Sequence, residues 1–146
     1  MSFTIIQDTR EKKPWTFGKA SVEVKKLDTG DYSVKGLEDV LFIERKSSVH
    51  EVYLTLGKNW KRFEAELERS QAMKYRFMVL ECSAKDIYYS AKFSKMSPDF
   101  IMGRLIYIQT KYNVNVVFAG PGEHVTRYAR QLMKNIARAE GVYEDD

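Results

Sequence analysis

A chain of 146 residues, 44% hydrophobic and 30% charged, has the size and composition of one compact domain rather than of a disordered or fibrous segment. No apolar run approaches the ~20 residues that span a bilayer, the N-terminus lacks the basic start and apolar stretch of a signal peptide, and the single Cys82 excludes a disulfide framework and a cysteine-built zinc site. An intracellular protein without membrane association is the expectation, and the net charge of +4 permits nucleic-acid binding through phosphate neutralisation.

In chain order, residues 3–7 read as a short strand ending at Asp8, and residues 10–18 as a polar loop broken by Pro14. Residues 22–27 alternate apolar and charged positions, as a strand does. Asp28-Thr29-Gly30 is a turn, and residues 31–34 and 40–46 form two strands joined across residues 35–39. Val52, Leu56, Trp60, Phe63 and Leu67 recur at helical spacing, so one amphipathic helix is expected, with Gly57 as an interruption near its start. Residues 76–81 and 114–119 read as buried strands. Ser97 as N-cap and Pro98 at the first helical position open a helix to about residue 112. Gly120-Pro121-Gly122 precedes a final helix over residues 123–138. The order predicts an α/β fold, with a mixed central sheet flanked by helices that begins as an antiparallel meander and continues by parallel crossovers.

The hairpin over residues 31–46 holds the informative chemistry. If its loop centres on Leu37 and Glu38, Tyr32 faces Ile43 and Val34 faces Leu41, which directs one apolar face to a core. The same register sets Asp31 opposite Glu44, with Lys46 on their side of the sheet. Like charges across a ladder repel, and a divalent cation between them reverses the penalty. Mg²⁺ takes hard oxygen ligands and commonly uses one or two carboxylates. Lys46 can then orient or deprotonate the attacking water, and Asp8 and Glu11 can supply further acid. Read singly, Asp31 after Gly30 equally suits a turn, and Glu44-Arg45-Lys46 a solvated strand end.

Taken in order, Asp8-Thr9-Arg10-Glu11, Gly30-Asp31-Tyr32 and Glu44-Arg45-Lys46-Ser47 resemble the nuclease motif of the XPF family, whose relatives include Mus-type junction endonucleases and the nuclease part of Hef-type proteins. The resemblance extends through Gly57 and Arg62-Phe63 to Phe77–Glu81 in order and spacing, and by pattern to the C-terminus. It implies a restriction-endonuclease-like fold and Mg²⁺- or Mn²⁺-dependent cleavage of branched or junction DNA in repair or recombination. It also implies a homodimer through the C-terminal helices. The resemblance carries Asp31 and Glu44 over as metal ligands and Lys46 as the catalytic lysine. Asp8 and Glu11 become supporting acids, and Arg45 a base that contacts phosphate or anchors carboxylates. Where the family pattern Glu-Arg-Lys-x-x-x-Asp ends in Asp, this chain has His50 followed by Glu51. His50 can bind a metal in its place, Glu51 can reach in, or His50 can face solvent; the departure keeps alive a catalytically silent module that only binds DNA or dimerises. One nuclease domain over residues 1–146 is expected, without the tandem helix-hairpin-helix module that family members often carry.

Arg10, Lys58 and Arg62 are candidate DNA contacts, and Trp60 between them suits the core or base stacking. On the last helix, Val125, Ala129, Leu132 and Ile136 share one face, while Arg127, Arg130, Lys134 and Arg138 lie mainly elsewhere. Those cations read as a solvated face or as a phosphate-tracking surface. Tyr88, Tyr89 and Phe93 pack locally or form a partner surface, and Cys82 reads as a small buried hydrophobe.

Overall fold

A computed structural model describes residues 2–89 and 95–144. Six strands form one sheet: β1 (Thr4–Gln7), β2 (Ser21–Val24), β3 (Tyr32–Val34), β4 (Leu41–Lys46), β5 (Tyr75–Leu80) and β6 (Asn115–Phe118), in the order β2-β1-β3-β4-β5-β6. The helices are α1 (Val49–Leu56), α2 (Trp60–Arg69), α3 (Ala84–Tyr88), α4 (Pro98–Tyr112) and α5 (His124–Ala139), with a 3₁₀ turn at Ser70–Ala72. The result is a mixed sheet flanked by helices, as the restriction-endonuclease-like expectation requires.

The alternation of β4 sorts the core into two layers. Phe42 packs with Met78 and Leu80 against α1, α2 and α4 on one face. Ile43 packs with Val79, Tyr32 and Val34 against α5 on the other, where Trp15 and Phe17 also lie. Tyr32 pairs with Ile43 in the antiparallel β3–β4 ladder, the register that the apolar alternation predicts.

Four features depart from the sequence expectation. β2 runs parallel to β1 on the sheet edge, and β1 takes β3 as its antiparallel neighbour, so the chain does not begin as a meander. The cause is the connection between β1 and β2. It buries Trp15 and Phe17, stacks Trp15 on Tyr32 at 4.6 Å and bonds the Trp15 N–H to the Tyr32 hydroxyl at 2.8 Å. The chain thereby crosses the α5 face of the sheet and returns to its starting end.

The expected single helix over residues 52–67 is two helices. The Gly57 N–H closes α1 on the Tyr53 carbonyl at 2.9 Å, and a Cβ at Gly57 would stand 2.9 Å from that same oxygen. Strand β6 is an edge strand with Asn115 and Phe118 exposed, and the deeply buried Val114 lies just before it. α3, opened by a Ser83–Asp86 capping box, leaves no period in the sequence because it has only five residues. Phe93 lies outside the described residues. Ser97 and Pro98 open α4 as expected, and Cys82 is buried. Among the described residues no helix is long and apolar enough to cross a membrane.

Candidate active site

β3 and β4 bring Asp31, Glu44 and Lys46 to one end of the sheet, on the face that α2 covers. Asp31 precedes β3 in a turn that needs glycine: Gly30 has φ +88°, and a Cβ there would meet the Ile43 carbonyl at 3.0 Å. The Asp31 N–H bonds to that carbonyl at 2.8 Å, and its carboxylate accepts the Arg45 N–H at 2.8 Å. Glu44 is 5% exposed and ion-paired to Lys46 Nζ at 2.9 Å.

This pair is electrostatically unsatisfied. Burial, with Glu11 and Glu66 adding to it, pushes the Asp31 carboxyl up to about 6 against the pull of the Arg45 N–H and Lys46. Burial and then Asp31 itself hold Glu44 well above the ordinary glutamate range. Burial alone lowers an ammonium, but Glu44 overrides it and raises Lys46, which is therefore protonated at neutral pH. Two carboxylates share one cation in a desolvated corner, which is the charge pattern a divalent ion relieves. Among the described residues no three acidic, histidine or cysteine side chains stand together as a complete metal shell. Asp31 and Glu44 alone offer the hard carboxylate oxygens that such a cation takes.

Two clefts meet at Asp31. One, of about 370 Å³, is lined by Asp8, Glu44, Arg62, Glu66 and Arg69 among others. The second, of about 650 Å³, is lined by Lys12, Lys13, Lys46, Ser48 and Glu51 among others. Arg10 lines both. Of the candidate DNA contacts, Arg10 and Arg62 therefore reach the site, whereas Lys58 lies exposed in the turn between α1 and α2 and lines neither cleft. His50 is exposed in the first turn of α1, and Glu51 rather than His50 lines the cleft. Trp60 packs against the α4 side of the core, with Arg104 4.4 Å over its ring.

The remaining motif residues brace the site. Asp8 accepts the Leu27 N–H at 2.8 Å and Arg10 Nε at 2.7 Å. Burial pushes its carboxyl up, but these bonds overcome that and leave it below the usual aspartate value. Arg45 points to the opposite face from Lys46. Its guanidinium pairs with Glu11 at 2.9 Å and Glu81 at 2.6 Å and lies 5.0 Å over the Trp15 ring.

Two site residues escaped the sequence reading. Glu81 ends β5 beside the end of β4, a neighbour that only the parallel β4–β5 pairing reveals. Glu66 bonds the Gly30 N–H at 2.9 Å from α2, fixing the turn that carries Asp31. Its place four residues after Arg62, off the Phe63–Leu67 core face, is the signal that could have found it.

The ERCC4 domain profile matches residues 7–132. The chain belongs to the ERCC4-domain family. This ERCC4 domain has the fold of XPF from Aeropyrum pernix, at TM-score 0.72 and 16% identity over 98% of the chain. It also matches XPF from Aeropyrum pernix in complex with DNA, at TM-score 0.64 and 15% identity over 95% of the chain. The ERCC4 domain spans 65% of each of those chains. No curated protein matches it.

Proposed function

We propose that this ERCC4 domain is a divalent-metal-dependent endodeoxyribonuclease that cuts branched or junction DNA. The observation that carries the reading is the buried Asp31–Glu44 pair, short of positive charge and flanked by Lys46, at the meeting of two clefts. Asp31 and Glu44 would hold Mg²⁺ or Mn²⁺, and the ion would supply Lewis-acid charge to the phosphate. Lys46, paired with Glu44, would orient the attacking water or steady phosphate charge. Arg10, Arg62 and Arg69 line the cleft and neutralise flanking phosphates. Asp8 and Glu11 act in support, the first by fixing Arg10 and residue 27, the second by fixing Arg45. The DNA complex of the A. pernix structure supports DNA as the substrate class. A homodimer through the C-terminal helices belongs to the same reading, since α4 leaves Phe100, Ile106 and Tyr107 exposed; sedimentation as a monomer at high concentration defeats that part.

The test is cleavage of flap, fork and linear duplex DNA with Mg²⁺ or Mn²⁺, beside Asp31→Asn and Lys46→Ala controls. Metal-dependent cutting of the branched substrates that both variants lose is the expected result. Binding without cutting on every substrate replaces this reading with the catalytically silent module that the His50 departure suggests.

A further inference from the structure

Helix α5 carries Arg127, Arg130, Lys134 and Arg138 and no acidic residue. Its four positive charges equal the net charge of the whole chain, +4. At 3.6 residues per turn the four positions fall within an arc of about 80°, turned away from the helix face that packs on the sheet, and extend about 16 Å along the axis. The three arginines are exposed and Lys134 is half-buried.

Elsewhere on the surface, three lysines pair with acids: Lys25 with Glu38, Lys35 with Glu23 and Lys74 with Glu140. Among the described residues none of the four α5 cations has a carboxylate within ion-pair distance. Two of them are held over an aromatic ring, with the Arg138 guanidinium 4.5 Å and Lys134 Nζ 5.9 Å from the Tyr143 centre. Beside the stripe, Ser2, Lys19 and Ser21 join Arg130, Lys134 and Tyr143 around a hollow of about 200 Å³, which offers hydroxyl and cationic donors to an anion.

Position decides what such a surface can serve. α5 packs on the sheet face of Ile43 and Val79, whereas Glu44 and Lys46 point from the other face towards α2. The stripe therefore lies across the sheet from the phosphate that the candidate site would cut. We propose that Arg127, Arg130, Lys134, Arg138 and Lys19 form a second docking surface for nucleic-acid backbone phosphates, one that takes an arm of a branched DNA other than the arm being cleaved. Its length matches about five base pairs of duplex. Contacts of this kind position DNA without reading sequence. The proposal rests on the nuclease reading for its substrate, but its test is separate.

The test measures binding of a labelled three-armed flap and a linear duplex of equal length to the full chain in EDTA, from 50 to 200 mM salt. The variants are Arg130→Gln/Lys134→Gln/Arg138→Gln and, on a different element, Lys19→Gln. The triple variant should bind the flap about tenfold more weakly, with a salt slope shallower by about 2 to 3, while its affinity for the linear duplex changes less than about twofold. Lys19→Gln should shift flap binding in the same direction by less. An unchanged flap affinity and salt slope overturn the proposal, and so does an equal loss on flap and duplex, which would place the stripe on the cleaved arm. Unchanged DNA binding with a lost dimer on sedimentation also overturns it, by making the stripe a contact between copies. A wild-type chain that binds the flap through this stripe but never cuts would sink the nuclease reading and leave the surface standing.

Discussion

Arg45 and Lys46 are neighbours on β4, point to opposite faces of the sheet, and meet the same ratio of charges with opposite outcomes. Each cation serves two carboxylates. The Arg45 fork reaches both of its acids, at 2.9 and 2.6 Å, and rests on an indole ring. Lys46 bonds Glu44 at 2.9 Å, and Asp31 feels it only through space while burial raises both acids. Here the guanidinium reaches its two acids through separate nitrogens, whereas the ammonium pairs with one. One side of the strand is finished as structure, and the other is left short of positive charge, ready for a ligand that brings some.

The largest test of this contrast is catalytic. Asp31→Asn keeps an oxygen for the Arg45 N–H but removes half of the negative pair; cleavage should fall about a thousandfold, worth about 4 kcal/mol. Cutting retained within about tenfold would mean that the unsatisfied side is not where the chemistry happens. Next, Arg45→Ala leaves Glu11 and Glu81, 15% and 14% exposed, without their cation, and urea unfolding should show a loss of about 3 kcal/mol. Arg45→Lys should recover less than half of that, because an ammonium lacks the fork that spans both acids here; full recovery would remove the geometric half of the contrast.

A smaller effect has the opposite sign. In EDTA, Asp31→Asn should stabilise the fold by about 1 to 2 kcal/mol, since the wild-type protein holds a charge that its surroundings oppose. Smallest is the pH trend. Asp31 titrates near 6 when folded and near the usual aspartate value of 3.8 when unfolded. The folded state therefore binds the extra proton between those values, and metal-free stability should rise as pH falls through 6. Asp8 lies below its ordinary value, so its contribution persists through that window and is lost only at lower pH. Thermal melts from pH 8 to 5 should show a rise in wild type that shrinks in Asp31→Asn, where burial still holds Glu44 above its ordinary range; an equal slope in both would assign the trend to other groups.

The reactive half of the site was legible because it sits on strands. Alternation alone placed Tyr32 against Ile43, and with it Asp31, Glu44 and Lys46 on one side. The braced half was not, because its partners are distant in sequence: Glu81 lies 36 residues beyond Arg45. The parallel seat of β2 depends on Trp15 and Phe17 packing within a connection that reads as a polar loop, and no local pattern in β2 itself reports it. The break between α1 and α2 is hidden for a different reason. Val52, Leu56, Phe63 and Leu67 keep helical phase across it, so only the close approach of Gly57 to the Tyr53 carbonyl reveals that the rod is cut.

The main-chain N–H that grips Asp31 belongs to Arg45, the residue whose guanidinium is anchored to β5 and to the loop after β1. A single peptide unit therefore carries alignment from the braced side to the reactive side, beside the through-space push of Glu11 on Asp31. Loosening the guanidinium should tilt Asp31 without changing the number of charges in the cleft, and the resulting defect would be one of aim: cation and DNA still captured, turnover reduced.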